Sequence, residues 1–73
     1  MSASIQCKEI NNLKIHLLDN DFDSKPLENG EKFVSDKLNV NIYNNGNVMF
    51  QNTIGNEQRI DNIKSYITSL NSK

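Results

Sequence analysis

Hydrophobic and polar residues alternate along two neighbouring segments near the middle of the chain. Residues 38–43 (LNVNIY) and 47–51 (NVMFQ) each place apolar residues on one face and mostly amides on the other. This alternation has the period of a half-buried β-strand. The intervening residues 44–46 (NNG) are typical of a hairpin turn. The pattern therefore predicts a β-hairpin with one apolar face.

The same pattern predicts the register of this hairpin. A two-residue loop would pair Ile42 with Met49 and Val40 with Gln51, so that the apolar face of one strand would meet the polar face of the other. A three-residue loop instead pairs Ile42 with Val48 and Val40 with Phe50. Gly46 then takes the left-handed conformation that closes a type I turn with a bulge. We expect six residues to share the opposite, amide-rich face, namely Asn39, Asn41, Tyr43, Asn47, Met49 and Gln51.

Residues 56–70 carry a narrow apolar stripe with helical spacing. Asn56 is suited to the N-cap, and Glu57 to the positive end of a helix. The stripe would cover the apolar face of the hairpin, and it consists of Ile60, Ile63, Ile67 and Leu70.

The first half of the chain has weaker signals. Residues 4–18 fit both helical spacing and strand alternation, and we favour a helix. Residues 19–30, which contain Pro26 and end in Asn29-Gly30, are expected to form a polar loop. Residues 31–35 are a short strand candidate, followed by a tight connection at 36–37.

These elements predict a single α+β domain over residues 1–73. We expect a small two-layer sandwich, in which a three- to four-stranded antiparallel sheet is covered on one face by the C-terminal helix, with an N-terminal helix beside it. The amide-rich face would be left uncovered.

Composition narrows the range of functions. The 73 residues include eight Lys+Arg and nine Asp+Glu, and the net charge of −1 gives no long-range attraction for phosphate. A single Cys cannot form an internal disulfide, and it suits a reducing cytoplasm. The longest apolar runs are far shorter than the ~20 residues that span a bilayer. We therefore expect a cytoplasmic protein without a membrane segment.

Catalytic and metal-binding patterns are weak. Asp19, Asp21 and Asp23 have the spacing that opens a calcium loop, but the glycine and the final glutamate of that motif are missing. His16 has no nucleophile or second histidine nearby in sequence, and Cys7 is interpreted as a small buried residue. We expect neither an enzyme nor a metal or cofactor site.

Asparagine is unusually frequent, with thirteen copies in the chain. Asparagine is common in turns and on surfaces. On the exposed hairpin face its amides offer both donors and acceptors, beside the ring of Tyr43 and the adaptable Met49. Such a face is either a binding surface or the ordinary solvated side of an antiparallel sheet.

Residues 30–52 (GEKFVSDKLNVNIYNNGNVMFQN) resemble part of a known family. The segment is similar to the N-terminal substrate-binding domain of bacterial ribonuclease HIII, whose fold is like that of the TATA-box-binding protein. In that family a helix and a turn precede a Gly-x-x-Phe strand, a hairpin and a closing helix. The matching positions are Gly30, Phe33, Val40, Ile42, Tyr43, Gly46, Val48, Phe50 and Gln51.

The resemblance implies a nucleic-acid ligand, such as a duplex or an RNA/DNA hybrid, bound by a module without a catalytic domain. Tyr43, Met49 and Gln51 would make the central contacts, with Asn39, Asn41 and Asn47 flanking them and Lys32 or Lys37 touching phosphate. The sequence departs from the family at Asn47, where lysine is usual, and at Asn52, where glycine is usual.

Two other interpretations stay open. Near-neutral charge suits a protein-binding regulator, such as an antitoxin, an inhibitor or a phage-encoded modulator. Alternatively, the hairpin edge pairs with a second copy of the chain, so that the protein is either a monomer or a weak homodimer.

Overall fold

The computed structural model describes residues 4–51 and 54–72. Five strands form one sheet in the order β1-β5-β4-β3-β2, and every neighbouring pair is antiparallel. The elements in chain order are β1 (Ser4–Gln6), α1 (Ile10–Asp19), β2 (Asp23–Leu27), β3 (Gly30–Ser35), β4 (Leu38–Tyr43), β5 (Asn47–Gln51) and α2 (Glu57–Asn71). The predicted α+β class is confirmed, and β4 is the central strand.

The β4–β5 hairpin has the predicted register. Val40 lies opposite Phe50, and Ile42 lies opposite Val48. Gly46 has φ +95°, and its N–H donates to the Tyr43 carbonyl oxygen at 2.9 Å. A Cβ at position 46 would overlap the Gln6 amide and approach the Cys7 carbonyl oxygen to 2.9 Å, so the turn requires glycine.

The N-terminal segment contains both of the structures that its pattern allowed. β1 pairs with β5 at one edge of the sheet, and α1 then begins at Ile10. Leu13 and Leu17 of α1 are fully buried. Since β1 and β2 lie at opposite edges, α1 has to pass over the sheet to connect them. The predicted helix is therefore confirmed from Ile10 onward, and the segment starts as a strand.

The prediction of a loop over residues 19–30 is wrong from Asp23 onward, where β2 begins. The sheet accordingly has five strands rather than three or four. β2 pairs with β3 through a two-residue turn, since Leu27 lies opposite Gly30. β2 has almost no buried side chains, so hydrophobic alternation could not mark it. Pro26 is tolerated because the strand lies at an edge.

Both helices cover the same face of the sheet. Their buried residues form one cluster with the apolar residues of β3, β4 and β5. The predicted stripe on α2 is confirmed, since all four of its residues are buried. Asn56 occupies the N-cap position as expected, and the Glu57 carboxylate accepts a hydrogen bond from the Gly55 N–H at 3.1 Å. Neither of the two described helices covers the other face of the sheet.

A candidate binding surface on the open sheet face

Residues of all five strands form the face that the helices leave open. We call it the outer face. Directly opposite residues of antiparallel strands point to the same side of a sheet, so the register assigns its members. They are Ser4 and Gln6, Asp23, Lys25 and Leu27, Gly30, Lys32 and Val34, Asn39, Asn41 and Tyr43, and Asn47, Met49 and Gln51. The six residues predicted to share this face therefore do so.

One row of side chains crosses the middle of the outer face. Lys25 is opposite Lys32, Lys32 is opposite Asn41, Asn41 is opposite Met49, and Met49 is opposite Ser4. We call these five residues the central row. With strands ~4.8 Å apart, the row spans about 19 Å. It brings two cations, an amide and a thioether into line.

Asn41 lies at the centre of this row, and the expectation that it is exposed is wrong. Only 7% of its surface is accessible, and its Oδ1 accepts no hydrogen bond from any described residue. It is buried because it is in mid-strand on the central strand of the sheet, with Lys32 on one side and Met49 on the other. A buried polar atom without a partner costs about 1–3 kcal/mol of stability.

The other predicted contacts are more accessible. Asn39, Tyr43 and Met49 are half-buried, whereas Asn47 and Gln51 are exposed. The backbone N–H of Asn47 donates to Asn45 Oδ1 at 3.0 Å, which ties the start of β5 to the turn. The face therefore has a partly covered centre and exposed amides at its margins.

A shallow concavity of about 330 Å³ lies at one end of the outer face. Tyr43 forms one side of it, and the amides of Asn29, Asn44 and Asn45 form the rest. The Asn44 N–H donates to the Asn29 carbonyl oxygen at 2.8 Å, so the two hairpin turns are held together. The concavity combines an aromatic ring with amide groups.

The charge of the outer face differs in sign from that of the whole chain. It carries Lys25 and Lys32 and one acid, Asp23, whereas the chain has a net charge of −1. The described residues form one ion pair, between Lys14 Nζ and Glu31 Oε1 at 2.9 Å. Neither outer-face lysine therefore has a carboxylate within 4.0 Å among the described residues. Like charges directly opposite each other on a sheet are destabilising.

The two predicted phosphate contacts are placed differently. Lys32 is half-buried in the central row. Lys37 is exposed in the β3–β4 turn, where Asp36 and Lys37 have φ of 47° and 72°. The predicted tight connection is confirmed, but Lys37 lies outside the strands that form the outer face. Asn52, a departure from the family pattern, lies outside the described residues.

Sequence reasoning missed Lys25 because its segment was interpreted as a loop. The signal was present in the Asn29-Gly30 dipeptide, which also marks hairpin turns. Taken as the two turn residues, however, Asn29 and Gly30 would set Lys25 opposite Val34; the observed turn residues are 28 and 29, which set Lys25 opposite Lys32.

The remaining titratable candidates lie away from the outer face. Cys7 is buried as expected, and this burial raises the pKa of its thiol. The ring of His16 is half-buried and stacks on Tyr66 with 3.9 Å between ring centroids. Within residues 4–51 and 54–72, no group of three or more His, Cys, Asp or Glu side chains could hold a metal ion.

Neither helix in the described part of the chain combines the length and the apolar character needed to cross a membrane. No protein-family model matches the sequence, and neither the curated proteins nor the solved structures contain a match.

Proposed function

We propose that this chain is a non-catalytic binding module that holds nucleic acid on its outer face. The observation that carries the proposal is the central row, in which two lysines face each other beside an amide oxygen, and none of the three has a partner among the described residues. The like charges and the buried oxygen are both unfavourable in the free protein. A ligand with phosphate groups and hydrogen-bond donors would relieve both.

The lysine pair accounts for the phosphate contact. Lys25 and Lys32 face each other, and a pair of like charges at this spacing costs a few tenths of a kcal/mol or more. A phosphate between them would turn this repulsion into two charge-assisted contacts. The attraction is local, so it does not depend on the overall charge of the chain, although the negative total weakens approach from a distance.

The amides account for contact with bases or sugars. Asn41 Oδ1 has no donor among the described residues, and the exocyclic amino group of guanine, the donor that a duplex shows in its minor groove, would reach it once the Lys32 and Met49 side chains shift aside. Proteins that bind this groove use lysine, asparagine and glutamine side chains. At the end of the face, the Tyr43 ring would stack on a base, and the neighbouring asparagine amides would form hydrogen bonds to a base or a sugar.

The resemblance to the ribonuclease HIII N-terminal domain supports the same ligand class. α1 precedes the strand that begins Gly30-x-x-Phe33, and the hairpin and α2 follow it, although β2 lies where the family pattern has a turn. In this proposal Tyr43 and Gln51, which match the family pattern, make central contacts together with Met49, which lies between them on the outer face. Lys25 and Lys32 compensate for the family lysine that Asn47 replaces.

The test is a titration of fluorescently labelled oligonucleotides at several salt concentrations. Duplex DNA, an RNA/DNA hybrid and a single strand are each followed by anisotropy. Two phosphate contacts predict a slope of log K against log salt of about −1.8, so affinity for a duplex falls ~12-fold between about 50 and 200 mM salt. Lys25→Gln or Lys32→Gln should reduce the slope by ~0.9 each.

Lys8→Gln is the matched control, because Lys8 is exposed and lies between β1 and α1, outside the sheet. It changes the net charge by the same amount, and we expect the slope to stay within error of the parent. An affinity that does not change with salt concentration would refute the proposed surface. Equal changes of the salt slope in Lys8→Gln and Lys32→Gln would refute it as well.

A protein partner is the second candidate function. It is favoured by the half-buried apolar residues Leu27, Val34, Tyr43 and Met49, which are interspersed among the outer-face amides. A partner with an acidic rim would satisfy the same lysines. Tyr43→Ala combined with Met49→Ala should then abolish capture of that partner, while oligonucleotides show no measurable binding at low salt.

A cytoplasmic location stays a prediction.

A further inference from the structure

We propose that the pocket between the two helices, on the layer opposite the outer face, binds a small aromatic carboxylate. The pocket has a volume of about 130 Å³ and lies where the end of α1 meets the first turns of α2. Arg59 and His16 provide its polar side, and Leu17, Phe22 and Ile63 its apolar side. None of these residues belongs to the outer face, so the proposal is independent of the nucleic-acid function.

Arg59 is the anion-binding group of the pocket. Its guanidinium is half-buried and lies 5.0 Å from the centroid of the Phe22 ring. Nη1 donates to the Ser35 carbonyl oxygen at 3.2 Å, and Nη2 donates to Ser35 Oγ at 2.8 Å. These bonds use two of five guanidinium N–H groups and hold the fork in one orientation.

The guanidinium also lacks a counter-ion. The described residues form one ion pair, Lys14–Glu31, and it does not involve Arg59. No described carboxylate comes within 4.0 Å of the Arg59 guanidinium. A partly desolvated cation with three N–H groups to spare favours a planar, singly charged acceptor, because a carboxylate can accept two parallel bonds, from Nε–H and from the unused N–H of the neighbouring Nη. A phosphate dianion would bring two negative charges to a single cation, so it fits less well.

The rest of the pocket selects the body of the ligand. Phe22 and Ile63 line the pocket with the 6% and 4% of their surface that stays accessible, and the third apolar lining residue, Leu17, is fully buried. The His16 ring stacks on Tyr66 with an interplanar angle of 14°, which fixes a flat wall beside that surface. Cavities of about 150 Å³ are known to hold benzene, so this volume suits a single six-membered ring. Asn20 and Asn62 form the exposed rim.

The experiment is an NMR titration of the ¹⁵N-labelled full chain with benzoate, with inorganic phosphate and with benzamide. Benzoate should shift the amide signals of residues 16–22 and 59–63 with a common, saturable dissociation constant. Benzamide has the same ring without the charge, and phosphate has charge without a ring. We expect each to bind at least tenfold more weakly than benzoate.

Arg59→Gln should weaken benzoate binding at least tenfold, and Arg59→Lys should weaken it less because the charge stays while the fork is lost. Urea unfolding checks that both variants fold, and Lys64→Gln on the same helix is the charge-matched control. The comparison of benzoate with benzamide on the unchanged protein does not depend on any variant. Equal binding of the two, stronger binding of phosphate, or the absence of saturable shifts would overturn the proposal.

Discussion

Replacing Asn41 by valine should make the protein more stable and less able to bind. Asn41 is 7% exposed, and its Oδ1 has no partner among the described residues. Removing an unsatisfied buried polar atom should raise the free energy of unfolding by about 1–3 kcal/mol. The higher strand preference of valine should add less than about 1 kcal/mol to this gain. A chain of this length has a total stability of only about 4–11 kcal/mol, so the gain is large.

The assay is urea unfolding followed by circular dichroism. With a slope of about 1 kcal/mol per M, the midpoint should rise by ~1 M or more, and the melting temperature by at least ~4 °C. Asn39→Val is the matched control, because Asn39 has the same strand and face but is only half-buried. We expect Asn39→Val to gain less than about 1 kcal/mol from strand preference alone.

The two variants also separate stability from binding. If Oδ1 accepts a hydrogen bond from the ligand, Asn41→Val should weaken binding to the preferred oligonucleotide by ~5-fold to ~150-fold, which corresponds to about 1–3 kcal/mol. A destabilised Asn41→Val, or one that gains no more than Asn39→Val, would refute the reasoning that Oδ1 is unsatisfied. A more stable variant with unchanged binding would refute its role in the site.

Three further predictions concern other parts of the fold. Lys32→Gln or Lys25→Gln should stabilise the free protein by up to about 1 kcal/mol in low-salt urea unfolding, with the gain shrinking as salt screens the repulsion. Gly46→Ala should cost more than Gly55→Ala in the same assay, since both have positive φ but only position 46 lacks space for a Cβ. Burial raises the pKa of the Cys7 thiol above 9.0, so the unfolded chain loses this proton first as pH rises. The stability that Cys7 contributes relative to Cys7→Ala should therefore be complete below pH 9 and decline above it, as pH titrations of unfolding would show.

The sequence predicts most where two signals coincide. In the β4–β5 hairpin the alternation assigns residues to faces, and the turn residues ending in Gly46 select one loop length. A register shift by one residue would expose every apolar side chain of a strand. On α2 the stripe and the N-cap position agree in the same way. The pairing of β4 with β5 and the packing of α2 on the apolar face of the hairpin were therefore both predicted correctly.

The sequence predicts least at the edges of the sheet. β1 has three residues and β2 has almost no buried side chains, so neither shows an apolar period of useful length. Both strands are defined by backbone hydrogen bonds to a neighbour, and these bonds leave little trace in side-chain type. The missing β2 removed Lys25 from the predicted site, and with it the strongest electrostatic feature of the outer face.

Burial on the outer face could not be predicted for a different reason. Alternation assigns Asn41 to the face without a helix, but exposure there depends on the neighbours on both sides. The predicted connection at 36–37 already sets Lys32 opposite Asn41 by counting, but it does not predict how far the Lys32 and Met49 side chains cover the amide between them. The site therefore depends on the order of the strands as well as on the pattern within each strand.

Side-chain choice on the two faces of β4 follows two different requirements. Val40 and Ile42 are fully buried beneath the helices, where packing stabilises the fold. Asn41, between them, lies on the opposite face with its Oδ1 unpartnered among the described residues, and valine at the same position is expected to raise stability. Lys25 and Lys32 add a second local cost beside it, although uncharged residues would pair there without repulsion. Two adjacent unfavourable features on an otherwise well-packed sheet are more easily explained by a bound ligand than by stability, because a donor-bearing anion removes both costs at once.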